Sequence, residues 1–112
     1  MELSNSEEKV LSIFNFLMKK VGYEDLYRFG REEGKEPYII YKDGTNWILL
    51  IKENNHFNFR MFPNLHSLCF DVFTTLNAYS CDYCISNFLP LLREEVTIDE
   101  LNELFNNKTK RK

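Results

Sequence analysis

Four residues of this chain have the types and spacing of a metal site: His66 with Cys69, and Cys81 with Cys84. A Cys3His set suits tetrahedral zinc, each pair supplying two ligands. The surrounding sequence favours another role. Cys69, Cys81 and Cys84 fall on the apolar stripes of the helices expected around them, where a free cysteine acts as a small hydrophobe. Zinc knuckles tend to come from glycine-containing loops, and no glycine lies between 45 and 112. The expectation is therefore no metal and no cofactor, with a metal-binding regulator as one rival reading.

Cys81-Asp82-Tyr83-Cys84 alone has the spacing of a redox dithiol. That chemistry needs the first thiol at a helix start after a strand, where its pKa falls. Here a helix precedes the pair and no βαβ pattern exists. Acid–base and nucleophilic catalysis also lack candidates. His56 falls at an expected hairpin turn and His66 in the first turn of a helix, neither beside a nucleophile. The four glycines (Gly22, Gly30, Gly34, Gly44) are scattered, so no phosphate-cradling loop exists. The adjacent pairs Glu32-Glu33 and Glu94-Glu95 read as solvated faces. An enzyme is not expected.

The elements that position these residues can be read from local signals. Ser4 with Glu7 forms a capping box, Val10, Ile13, Phe14, Leu17, Met18 and Val21 recur at helical spacing, and Gly22 is the stop. The spacing predicts a helix over 6–21. Leu26 to Phe29 has the composition of a short strand, and 32–36 that of a solvated loop. Tyr38 to Lys42 is a strand, Asp43-Gly44 a hairpin turn, and Trp47 to Ile51 a second strand. That second strand is apolar on both faces, so it is expected to be central and covered on both sides. Phe57, Phe59 and Met61 alternate with Asn58 and Arg60, the pattern of a strand with one wet face.

Asn64 is a good N-cap for a helix with the stripe Leu65, Leu68, Cys69, Val72, Phe73, Leu76. A further helix carries Cys81, Cys84, Ile85, Phe88 and Leu89, and Pro90 is expected to end or kink it near Phe88. Thr97 with Glu100 opens a last helix, with Ile98, Leu101, Leu104 and Phe105 facing inward. The chain from Asn106 is expected to be disordered. The fold class is α+β: an antiparallel meander of three or four strands packed against an N-terminal helix and two or three C-terminal helices. One domain spans 1–107, and 108–112 is a basic tail.

Composition bounds the function. A chain of 112 residues with 44% hydrophobic and 28% charged residues can build one core without disulfides or metal. No stretch is long and apolar enough to span a membrane. Glu2, Glu7 and Glu8 precede any apolar run, which argues against a signal peptide. Three cysteines cannot all pair, so free thiols in a reducing cytoplasm are expected. Lys108, Lys110, Arg111 and Lys112 hold four of the 14 basic residues. The remaining 1–107 carries 10 basic against 17 acidic residues, a net charge of −7. Residues 61–107 hold seven acids and one base, Arg93. Such a field repels nucleic acid and anionic lipid and attracts basic partners.

Surface recognition remains. Tyr79, Asp82, Tyr83 and Asn87 lie off the apolar stripes, and Glu94, Glu95, Asp99, Glu100 and Glu103 follow them. Tyrosines suit interfaces, and acidic rims steer basic partners. These nine residues are the expected partner-contact set.

The block Tyr38 to Tyr41, Asp43-Gly44, Trp47, the hairpin to Phe57 and Phe59, Phe62 and the helix from Leu65 resembles the small α+β immunity proteins of bacterial polymorphic toxin systems. Contact-dependent growth inhibition immunity proteins are the closest functional group. Members often carry alanine near the position of Cys69 and acids where Pro63-Asn64 stand, so the subfamily stays open. The resemblance covers residues 38–79. It implies a non-enzymatic antitoxin that forms a one-to-one complex with a cognate toxin domain and blocks its active site or substrate path. Many such toxins are basic nucleases, which agrees with the acidic body. A small adaptor or regulatory module acting on a non-toxin protein is the other rival.

Overall fold

A computed structural model of the protein describes residues 3–32, 34–76 and 78–110. The elements run α1 (Asn5–Lys20), β1 (Tyr27–Phe29), β2 (Tyr38–Asp43), β3 (Asn46–Glu53), β4 (His56–Phe62), α2 (Leu65–Thr75), α3 (Ala78–Leu92) and α4 (Ile98–Lys110). The fold is α+β, as expected, with one helix before the sheet and three after it. The sheet order is β1-β2-β3-β4. β2, β3 and β4 form an antiparallel meander, while β1 adds in parallel beside β2, so the sheet is mixed.

Local chemistry explains the helix ends. The Ser4 hydroxyl accepts from the Glu7 backbone N–H, and the Glu7 carboxylate accepts from the Ser4 N–H at 3.0 Å, a complete capping box. At the other end of α1 the Tyr23 N–H donates to Met18 O at 2.8 Å and Gly22 donates to Lys19 O. This Schellman motif requires a left-handed residue, and Gly22 supplies it with φ of +78°. The Asn64 side chain accepts from Ser67 N–H at 3.0 Å and starts α2. Two-residue turns join the meander, and their first residues, Gly44 and Asn54, are left-handed with φ of +65° and +51°.

Three expectations are corrected here. Of the end or kink expected at Pro90, the end at Phe88 is overturned: the helix continues to Leu92 with Pro90 inside it. The proline stands in the last turn, so its missing N–H costs one bond next to the helix end, where bonding already changes pattern. The disordered tail from Asn106 is replaced by helix, since α4 continues through Lys110. Arg111 and Lys112 lie outside the described residues. Leu104 is exposed rather than inward-facing; Ile98 and Leu101 carry the contact of α4 with the core. The Phe105 side chain is also outside what is described.

The core sits between the helices and one face of the sheet. Ile40, Trp47, Leu49 and Ile51 point to that face and meet Phe14, Leu17 and Met18 of α1, Leu68, Val72 and Phe73 of α2, and Phe88 of α3. Phe73 is the hub, 5.5 Å from the Phe14 ring and 5.3 Å from the Phe88 ring, centroid to centroid. Burying each of these side chains contributes roughly 1.5–3 kcal/mol. Tyr27 joins from β1: its hydroxyl donates to Asn15 Oδ1 at 2.6 Å, and burial pushes its pKa up to about 12.

β3 is central, as expected, but helices cover only one of its faces. Ile39 and Ile48 belong to the opposite face and take no part in the helix-lined core. They are nonetheless buried, and the chain between β1 and β2 reaches the same face. That segment folds over this face, where Lys52 Nζ donates to Gly34 O. The Arg31 guanidinium lies 4.8 Å from the Tyr41 ring centre and pairs with Asp43 at 3.0 Å.

Candidate functional site

The second face stays open over β4. Register places Phe57 opposite Lys52, Phe59 opposite Leu50 and Met61 opposite Ile48, and cross-strand partners share a face. Phe57, Phe59 and Met61 are 48%, 57% and 54% exposed. Apolar and polar residues alternate along β4 as expected, but instead of one wet face both sides are exposed from His56 to Met61. Arg60 takes the helical side, where its guanidinium reaches Asp71 of α2 at 2.7 Å. Three large apolar side chains in one exposed row are a surface made for contact rather than for solvent.

Sequence reasoning missed this row. The two-residue Asn54-Asn55 turn puts Phe57 and Phe59 on the face of Lys52, and a lysine rarely lies under a helix layer. That was the signal. It was masked because Trp47 to Ile51 is apolar on both faces.

The expected contact set lies elsewhere, on the helical side. Asp82 of α3 is exposed, Tyr83 is half-buried with burial raising its pKa, and Asn87 donates to Tyr83 O at 2.9 Å. Asn87 therefore faces its own helix. Tyr79 is in the first turn of α3, and its side chain lies outside the described residues. Glu94, Glu95, Asp99, Glu100 and Glu103 are all exposed. Glu94 pairs with Lys9 at 3.1 Å, and the Glu100 carboxylate accepts from the Thr97 hydroxyl at 3.2 Å while its N–H donates to Thr97 Oγ1. The acids thus flank the turn after α3 and the first two turns of α4.

Glu94 also carries strain. It occupies the left-handed position of a second Schellman motif, with φ of +60°. Glu95 N–H donates to Pro90 O at 2.9 Å and Glu94 N–H to Leu91 O at 3.3 Å. A non-glycine residue in that conformation costs about 1 kcal/mol.

The cysteines and His66 do not assemble. Cys69 and Cys84 are fully buried, Cys81 is half-buried and His66 is exposed. Among the described residues no three His, Cys, Asp or Glu side chains converge as metal ligands. Burial pushes the Cys69 thiol well up and the Cys84 thiol up to about 12, the nearby Cys81 adding to the second shift. Neither is a thiolate at neutral pH, so neither is a ready nucleophile.

An open cleft of about 610 Å³ lies where α1 and α2 begin, lined by Ser4, Glu7, Lys42, Asn64 and His66 among others. Glu7 there is fully engaged. It accepts from Ser4 N–H, from Lys42 Nζ at 2.9 Å and from Trp47 Nε1 at 2.8 Å. The capping bond first, and then the two side-chain donors, hold its pKa down to about 2 against the opposing cost of burial. A carboxylate so held is a poor base. Its role is to tie α1 to the sheet.

Among the described residues no helix is long and apolar enough to cross a membrane. No protein-family model, no curated protein and no solved structure matches this chain.

Proposed function

We propose that this protein is an immunity protein (antitoxin). It would act in the cytoplasm without catalysis, forming a one-to-one complex with a basic toxin domain of the nuclease class and blocking its active site or substrate path. The observation that carries this reading is the acidic edge of the helical layer. Glu95, Asp99, Glu100 and Glu103 are exposed, and no ion pair engages them among the described residues. Unpaired exposed acids accelerate encounter with a basic partner at little cost to the fold. The resemblance over residues 38–79 supplies the class of partner.

The test is co-purification. The tagged chain is co-expressed with the polypeptide encoded beside its gene. A stoichiometric complex that abolishes the neighbour's toxicity supports the reading. A neighbour without toxicity, or one that fails to bind, removes it. A small adaptor module is the second reading, favoured by the exposed row Phe57, Phe59 and Met61, because an apolar surface needs no basic partner. Retained binding in about 0.5 M salt separates it from the steered acidic contact.

A further inference from the structure

We infer that β4 is a homodimerisation edge, and that two copies of this chain pair antiparallel across a two-fold axis through Phe59. Lys52 N–H donates to Pro37 O at 2.9 Å, so Lys52, and with it Leu50, directs its main-chain groups towards β2. Leu49 and Ile51 direct theirs towards β4, where they meet Arg60 and Asn58. The intervening Phe57, Phe59 and Met61 therefore turn N–H and C=O to the outer edge. No strand of the described residues occupies that edge.

Edges of this kind are usually blunted by shortness, proline, an inward charge or a bulge. β1, the other edge, has three residues. β4 has seven, contains no proline, and pairs with β3 in unbroken register; its one inward charge, Arg60, is already paired with Asp71 of α2. Every residue from His56 to Met61 is exposed, so the helical layer leaves the edge clear. The residues that offer main-chain bonds are also those with exposed apolar side chains, which makes the edge attractive on two counts.

Charge selects the register. With the axis through Phe59, Phe59 faces itself, Phe57 faces Met61 and Asn58 faces Arg60. All three outward residues then exchange bonds in both copies. An axis through Arg60 sets that guanidinium against itself and leaves Phe57 without a bonded partner. An axis through Asn58 does the same to Met61. A second copy in this register meets every outward main-chain group of β4 with no like charges opposed, and the pairing sets two rows of Phe57, Phe59 and Met61 side by side. The acidic helical edge takes no part, so the pairing stands or falls independently of the toxin reading.

Edge pairing buries a small interface, so association is expected in the range of about 1–100 μM. Analytical ultracentrifugation of the full chain across that range should show a shift towards twice the 13.5 kDa chain mass. Phe59→Lys, at an exposed position, should leave the circular dichroism spectrum unchanged and the chain monomeric. In a Cys81→Ser background, Phe59→Cys should form a disulfide-linked dimer on mild oxidation, because residue 59 faces itself at about 5.5 Å between Cα atoms. Phe57→Cys, facing Met61, should cross-link far more slowly. A wild-type chain that stays monomeric at the highest concentration overturns the proposal. So does a dimer that survives Phe59→Lys, or one in which Phe57→Cys cross-links as readily as Phe59→Cys.

Discussion

Trp47 Nε1 donates to Glu7 Oε2 at 2.8 Å, so one carboxylate both caps α1 and satisfies the indole at the centre of the sheet. Trp47 is 1% exposed, and its N–H has no access to bulk water. Glu7→Ala removes the capping box and leaves that donor buried without its acceptor. The expected cost is about 2–4 kcal/mol, read from urea or thermal unfolding.

The same carboxylate predicts an acid-labile fold. Its folded pKa is about 2 and its ordinary value 4.5. A depressed carboxylate stabilises the fold fully above 4.5, and the contribution is lost as pH falls from there towards 2. It amounts to up to about 3 kcal/mol at neutral pH. Urea unfolding of the wild type and of Glu7→Gln should differ at pH 7 and converge near pH 2. A gap independent of pH would show that Glu7 acts by packing alone.

Glu94 should be replaceable by glycine with a gain in stability. Gly22 already fills the equivalent left-handed position after α1. Glu94→Gly relieves about 1 kcal/mol of backbone strain. It gives up an exposed ion pair with Lys9 worth a few tenths of that. The expected net is a rise of about 0.5 kcal/mol, measurable as a higher thermal midpoint.

The acidic edge makes a kinetic prediction. Reversing Glu95, Asp99 and Glu103 to Lys leaves the Thr97–Glu100 cap intact. Association with a basic partner should slow by roughly tenfold or more and lose most of its salt dependence, while dissociation changes little. Stopped-flow or surface binding with the proposed toxin partner measures it. An unchanged on-rate would leave these acids as solvation only.

Phe73 tests the core. It is fully buried, stacked on the Phe14 ring and edge-to-face with the Phe88 ring, joining three helices. Phe73→Ala should cost about 3–5 kcal/mol. Met61→Ser, on the open face, should fall within about 0.5 kcal/mol of wild type. Equal losses at the two sites would mean that the open face is covered in solution.

Much of the candidate surface was legible in part. The acids at 94–103 were placed by charge and capping alone, and all five are exposed. Asn87, an expected contact residue, also bonds its own helix, because Asn at that spacing reaches the carbonyl four residues back. Phe57, Phe59 and Met61 carried no warning in their own alternation. Period 2 says that a strand has two different faces, not which of them the helices will cover.

The sequence by itself determined the elements and the class. Caps at Ser4, Asn64 and Thr97, turns at Gly44 and Asn54, and apolar periods act over a few residues, so local chemistry suffices for them. Only the tertiary structure decided which sheet face meets the helices, that β1 adds in parallel, and that β4 is left as a long open edge. β3 is apolar on both sides, so either face could have received the helical layer. Contacts from distant parts of the chain, Glu7 to Trp47 and Arg60 to Asp71, accompany the choice made.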